Sequence, residues 1–119
     1  MSRFQSFYCG DWEALIDTER GANCIRLYHQ KYGAHLLREP AEYPLDNPYL
    51  YGIPILFPVN RIEGGSFEFE GRLYSFPINE PKTNCHLHGT LHQTPFQITL
   101  QTDRRIQCSF KTERGEYLG

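Results

Sequence analysis

Two stretches of the chain gather residue types that can bind a polar ligand and move protons. The first is Gly52 to Gly65 (GIPILFPVNRIEGG), in which Asn60 and Arg61 follow the apolar run Ile53 to Val59. The second is Asn79 to His92 (NEPKTNCHLHGTLH), which brings Asn79, Glu80, His86, His88 and His92 close together in sequence. An arginine beyond an apolar run is ordinarily a surface residue. Beside an asparagine, in a segment shaped by proline and rich in aromatic rings, it suits carbohydrate. Sugars present hydroxyls in fixed directions, Arg and Asn offer several directional donors, and Tyr or Phe can cover an apolar sugar face. Such polar groups work best when few and rigidly held. The histidines allow a different chemistry. His86 and His88 on one strand would share a face, and with His92 or Cys85 they could ligate a metal in a small β-barrel. Against this, Gly89 breaks such a strand and no suitably placed Glu follows. The plainer expectation is that His86 and His92 satisfy hydrogen bonds at strand ends, that His29 and His35 are structural or surface residues, and that no metal is bound.

The elements that must position these residues read as strands. Trp12 to Asp17 is short and apolar. Cys24 to Gln30 alternates, with Cys24, Arg26, Tyr28 and Gln30 on one side and Ile25, Leu27 and His29 on the other. Period 2 marks a half-buried strand. Ala34 to Arg38 reads as the next strand. Pro40 to Pro58 carries Pro40, Pro44, Pro48, Pro54 and Pro58, a density that forbids helix and central strand and predicts a long ordered loop of the kind that binds ligands. Ser66 to Glu70, Gly71-Arg72 and Leu73 to Phe76 form a hairpin signature. A second hairpin runs from Phe96 through a polar turn near Asp103-Arg104 to Phe110. No segment of useful length repeats apolar residues at helical spacing. The chain is therefore expected to be all-β and mostly antiparallel, a reading that the 8 Tyr, 8 Phe, 10 Gly and 8 Pro support.

In order and spacing, Pro58 to Ile62, the Gly64 to Tyr74 turn and hairpin, Pro77 to Asn79 and Leu87-His88-Gly89 resemble the N-terminal third or so of aldose 1-epimerases. The early GANCIRLYHQKYGAHLLRE resembles that family's opening strands. The resemblance implies an antiparallel β-sandwich portion of a galactose-mutarotase-like supersandwich, with residues 1–119 a single β region forming the N-terminal part of a larger domain. It implies interconversion of α and β anomers of an aldose by acid–base ring opening, without cofactor or metal. It carries Arg61 over as a ligand of sugar hydroxyls and His88 as the first active-site histidine, close to the reacting centre. Asn60 and Asn79 are carried over as further substrate-binding positions, although Asn79 can equally brace the loop and Glu80 can be a plain surface charge. Thr90 stands where the family commonly has a second glycine. The family's second histidine and its carboxylate base have no matching positions here, and Glu113 and Glu116 match no family motif. The alternatives are a non-catalytic carbohydrate-binding module of the same fold and the small metal-binding β-barrel.

Bulk properties narrow the partners. The charge is nearly balanced, 12 basic against 14 acidic residues, and Arg104-Arg105 is the only adjacent basic pair. Nothing forms the basic stripe that a phosphate backbone needs, so no nucleic-acid partner is expected. The start, MSRFQSFYCGDWEALID, lacks a signal-peptide apolar run and no stretch is long enough to span a bilayer, which sets the expectations of no membrane partner and a cytoplasmic location. Cys9, Cys24, Cys85 and Cys108 include no C-x-x-C pair and read as free thiols. After the last hairpin, KTERGEYLG reads as the beginning of another segment. A sandwich cut there would expose sheet edges and apolar faces, and self-association is the expected consequence.

Overall fold

The computed structural model describes residues 3–42 and 49–112. Among these, strands follow one another as β1 (Phe4–Cys9), β2 (Trp12–Asp17), β3 (Asn23–His29), β4 (Ala34–His35), β5 (Arg61–Glu63), β6 (Ser66–Phe69), β7 (Arg72–Ser75), β8 (Cys85–Leu87), β9 (Gln97–Gln101) and β10 (Ile106–Ser109). Every pairing between strands is antiparallel. The helical content of the described residues is two single turns of 3-10 helix, Pro81–Thr83 and Leu91–Gln93. The all-β, antiparallel expectation holds. None of the described helices is long and apolar enough to cross a membrane. The residues group into two compact units, one of Met1–Ile55 with Leu91–Phe110 and one built on Leu56–Thr90.

In the first unit β1, β2, β3 and β4 form a sheet in that order. The strand β1 is invisible to a search for alternation, because Phe4, Gln5, Ser6, Phe7, Tyr8 and Cys9 put polar and apolar side chains on both faces. Its place comes from the ladder to β2, from Phe4 opposite Asp17 to Cys9 opposite Trp12. An ion pair fastens the open end: Arg3 donates from Nε and Nη2 to the two carboxylate oxygens of Asp17 at 2.9 and 2.8 Å. Asp17 is fully buried, and a buried carboxylate persists only when paired and hydrogen-bonded. A bulge between β2 and β3 sets Leu15 opposite Arg26 but Ile16 opposite Cys24. Ile25, the extra residue, is fully buried, with Ile16 nearly so. The expected alternation of β3 is thus present but interrupted at the bulge. The strand expected over Ala34 to Arg38 shrinks to Ala34–His35.

Asn23 ties the proline-rich segment to this sheet. Its Oδ1 accepts from the Ile53 N–H at 2.7 Å, its Nδ2 donates to the Tyr51 carbonyl at 3.4 Å, and Cys24 and Ile53 form an isolated bridge. The described parts of Pro40 to Pro58 contain no strand; Pro44 and Pro48 lie outside the described residues. The second expected hairpin is β9–β10, closed by the Thr102 N–H donating to the Arg105 carbonyl at 2.8 Å, with Phe96 and Phe110 5.6 Å apart between ring centres.

The second unit contains the first expected hairpin, β6–β7. Its two-residue loop, Glu70-Gly71, has φ of 51° and 75°, the left-handed pair that lets a tight loop match the twist of its strands. Phe67 stacks on Tyr74 at 5.1 Å across the strands. The same unit holds β5 and β8, two three-residue strands paired from Arg61 opposite Leu87 to Glu63 opposite Cys85. Neither is visible in the sequence, because three residues are too few to establish a period.

Candidate functional site

The β5–β8 pair brings the two conspicuous stretches together. Asn60 immediately precedes β5 and His88 immediately follows β8, and register places them at the same end. Both have left-handed backbones, with φ of 66° and 60°, a conformation in which Asn and His are enriched among residues with a side chain. They bond reciprocally. The His88 N–H donates to the Asn60 carbonyl at 3.1 Å, and the Asn60 N–H donates to His88 Nδ1 at 3.0 Å. Because Nδ1 accepts, the proton of the neutral ring resides on Nε2. The backbone of Asn60, more than its side chain, therefore fixes the ring and its tautomer.

Gly89 makes this geometry possible. Its φ is 64°, and a Cβ at this position would lie 1.7 Å from the Phe57 carbonyl oxygen. Phe57 and Gly89 form a bridge there, so the backbone of the proline-rich segment passes where any side chain would stand. On the other side of His88, Asn79 braces Leu87. Its Oδ1 accepts from the Leu87 N–H at 2.5 Å and its Nδ2 donates to the Leu87 carbonyl at 2.9 Å. The amide thus pairs with one residue as a neighbouring strand would, and holds the turn from which His88 springs.

Arg61 on β5 meets a partner that sequence reasoning treated as a plain surface charge. Its Nε and Nη2 donate to Oε1 and Oε2 of Glu80 at 2.5 and 3.0 Å. Hydrogen bonds from Arg61 and from the Thr83 hydroxyl, with the charge of Arg61, hold the Glu80 carboxyl down to about 2. The same pairing raises the Arg61 guanidinium pKa. The bidentate fork is the geometry for which guanidinium and carboxylate are matched. No signal in the sequence announces this contact, which depends on the register of β5 against β8.

The three histidines do not form a common site. His86 is buried within β8, its Nδ1 donating to the Pro77 carbonyl at 2.7 Å and its ring 5.1 Å from that of Phe76. His92 is buried in the first unit, 3.4 Å from the Tyr49 hydroxyl through Nε2. His88 lies past the strand end, so the shared face on which a His-x-His metal site depends does not form. Among the described residues no three His, Cys, Asp or Glu side chains gather as metal ligands would. The four cysteines are free thiols. Burial pushes the thiols of Cys24 and Cys108 up, which keeps them protonated and poor nucleophiles.

A model of the family aldose 1-epimerase matches residues 17–119. The chain belongs to the aldose 1-epimerase family. It is 36% identical over 96 residues to the uncharacterized protein YihR of Escherichia coli K12, a match that covers 79% of this chain and 29% of that protein. Among solved structures it is similar to a galactose mutarotase-like protein of Clostridium acetobutylicum, at 34% identity and a TM-score of 0.71, covering 82% of this chain and 31% of the other. The fold is also shared with a GalM/aldose epimerase homologue from C. elegans, at 17% identity and a TM-score of 0.70, covering 92% of this chain and 36% of that one. The galactose-mutarotase-like fold expected from the motif string is therefore present. The chain spans about a third of the length of these relatives.

Proposed function

We propose that this chain supplies the sugar-hydroxyl ligand and the first histidine of an aldose 1-epimerase site, as the N-terminal part of a larger mutarotase-like domain. The observation that carries the reading is that the strand register sets Arg61 and His88 at one end of the β5–β8 pair, with Arg61 forked on Glu80 and His88 bonded to the Asn60 N–H. Arg61 donates to hydroxyls of the aldose. His88, its ring oriented by the Asn60 N–H at Nδ1, is the histidine that the family resemblance sets beside the reacting centre, where charge changes as the ring opens. Asn60 and Asn79 act mainly by shaping the site, and Asn79 has both ends of its amide committed to Leu87.

The reaction is proton transfer. A base takes the C1 hydroxyl proton, an acid protonates the ring oxygen, the ring opens, and rotation about C1–C2 precedes closure on either face. Positioned groups of suitable pKa suffice for both transfers. The family's second histidine and carboxylate base have no matching positions among these 119 residues, so the chain alone is expected to bind an aldose and to catalyse little.

Anomeric exchange of galactose and glucose, followed by NMR with His88→Ala as control, tests this. Exchange at the buffer rate with sugar binding retained supports a sugar-holding part of a larger site. Exchange above buffer that disappears in His88→Ala shows that the acid and base are within this chain, and corrects the assignment. The absence of both exchange and binding overturns the proposal.

A further inference from the structure

Glu80 is held more firmly than an ordinary surface carboxylate. Its N–H donates to the Cys85 carbonyl at 3.1 Å and its own carbonyl accepts from the Cys85 N–H at 3.2 Å, closing the turn that carries it. Within that turn the Thr83 N–H donates to the Glu80 carbonyl at 3.3 Å and the Asn84 N–H to the Pro81 carbonyl at 3.1 Å. Pro81 opens the 3-10 turn and Asn84 closes it in the left-handed conformation. The Thr83 hydroxyl then donates to Oε1, the same oxygen that receives Arg61 Nε. Backbone and carboxylate are therefore both fixed before Arg61 is considered. Most surface ion pairs lack this, which is why they contribute little.

The fixed carboxylate takes a particular part of Arg61. A guanidinium has five N–H donors, of which Nε–H and one Nη2–H go to Glu80. The Nη1 hydrogens and the second Nη2 hydrogen remain, on a side chain that is 50% exposed. We propose that Glu80 is a positioning residue for sugar binding: braced by Thr83, it holds one edge of the Arg61 guanidinium so that the opposite edge is presented, already ordered, to the hydroxyls of the aldose. The inference rests on the sugar-binding reading of Arg61 above. Its physical content is pre-organisation. A free arginine loses rotamer freedom when it binds, whereas one already clamped has little left to lose.

The test uses the 119-residue chain, isotopically labelled, titrated with galactose and with glucose. The variants are Glu80→Gln, Thr83→Val and Arg61→Ala. In the wild type the Arg61 Nε–H signal is expected to be distinct, slow to exchange with solvent, and shifted by sugar. In Glu80→Gln it is expected to merge with the solvent-averaged arginine signals, while backbone amides beyond the turn stay in place and report an intact fold. Sugar affinity is expected to fall about three- to tenfold, the effect of having to order one long side chain on binding. Thr83→Val, which leaves the charge intact and loosens it, is expected to fall between. Wild-type affinity in Glu80→Gln, with Arg61→Ala clearly weakened, overturns the role of Glu80 and leaves the sugar site standing. Absence of saturable binding by the wild-type chain overturns both.

Discussion

The Glu80 carboxyl is lowered to about 2 because Arg61 and Thr83 donate to it and the nearby charge of Arg61 favours the anion. A carboxyl whose folded-state pKa lies below its ordinary value stabilises the fold fully above that ordinary value, and the contribution is lost as pH falls through the folded one. For Glu80 the window runs from 4.5 down to about 2. Denaturant midpoints of the wild type and Glu80→Gln, compared across this range, are expected to differ most near neutrality and to converge toward its acid end. A constant difference at all pH values contradicts the pairing. Arg61 and His88 were legible as residues because each stands in a short motif with its own spacing. Their partners were not. A glutamate after Asn79 carries no mark of the arginine it meets, and the Asn60 N–H on His88 is a backbone contact that side-chain types do not encode.

At the scale of elements, the decisive device is the crossing of two backbones at Gly89. A side chain there conflicts with the Phe57 carbonyl oxygen, 1.7 Å from the Cβ position, and with the left-handed φ of 64°. Neither conflict is relieved by a rotamer change. Gly89→Ala is expected to destabilise the chain by at least ~1 kcal/mol and to move the amide signals of Asn60 and His88, whose reciprocal bonds depend on the same crossing. A thermal midpoint and an Asn60 amide shift matching the wild type contradict this account. Hairpins β6–β7 and β9–β10 were readable because alternation and turn residues agree over several positions. Strands β5 and β8, at three residues each, were hidden, as was β1, whose faces are mixed. The site is therefore built on the elements with the weakest local signal. Tertiary contacts fix them: the Asn79 brace on Leu87, the Glu80–Cys85 bridge and the Phe57–Gly89 bridge.

For the molecule as a whole, edges and apolar surface dominate. Within the described residues β1 is an edge of its sheet, and the hairpins β6–β7 and β9–β10 are each two-stranded. Ile53, Val59, Phe69 and Leu73 are all more than half exposed. Unpaired edges beside apolar side chains favour pairing with another chain, and sedimentation velocity of the isolated chain is expected to show mass rising with concentration; a monomer at all concentrations contradicts that. The motif string made the fold family legible over most of the chain, because glycine, proline and histidine are needed at fixed places whatever surrounds them. The most direct measurement of the central claim is a titration of the labelled chain with galactose and glucose, monitored at the backbone amides. The account predicts saturable shifts concentrated at Asn60, Arg61, His88 and Gly89, clearly weakened by Arg61→Ala and by His88→Ala. Saturable shifts that ignore both substitutions, or none at all with either aldose, contradict it.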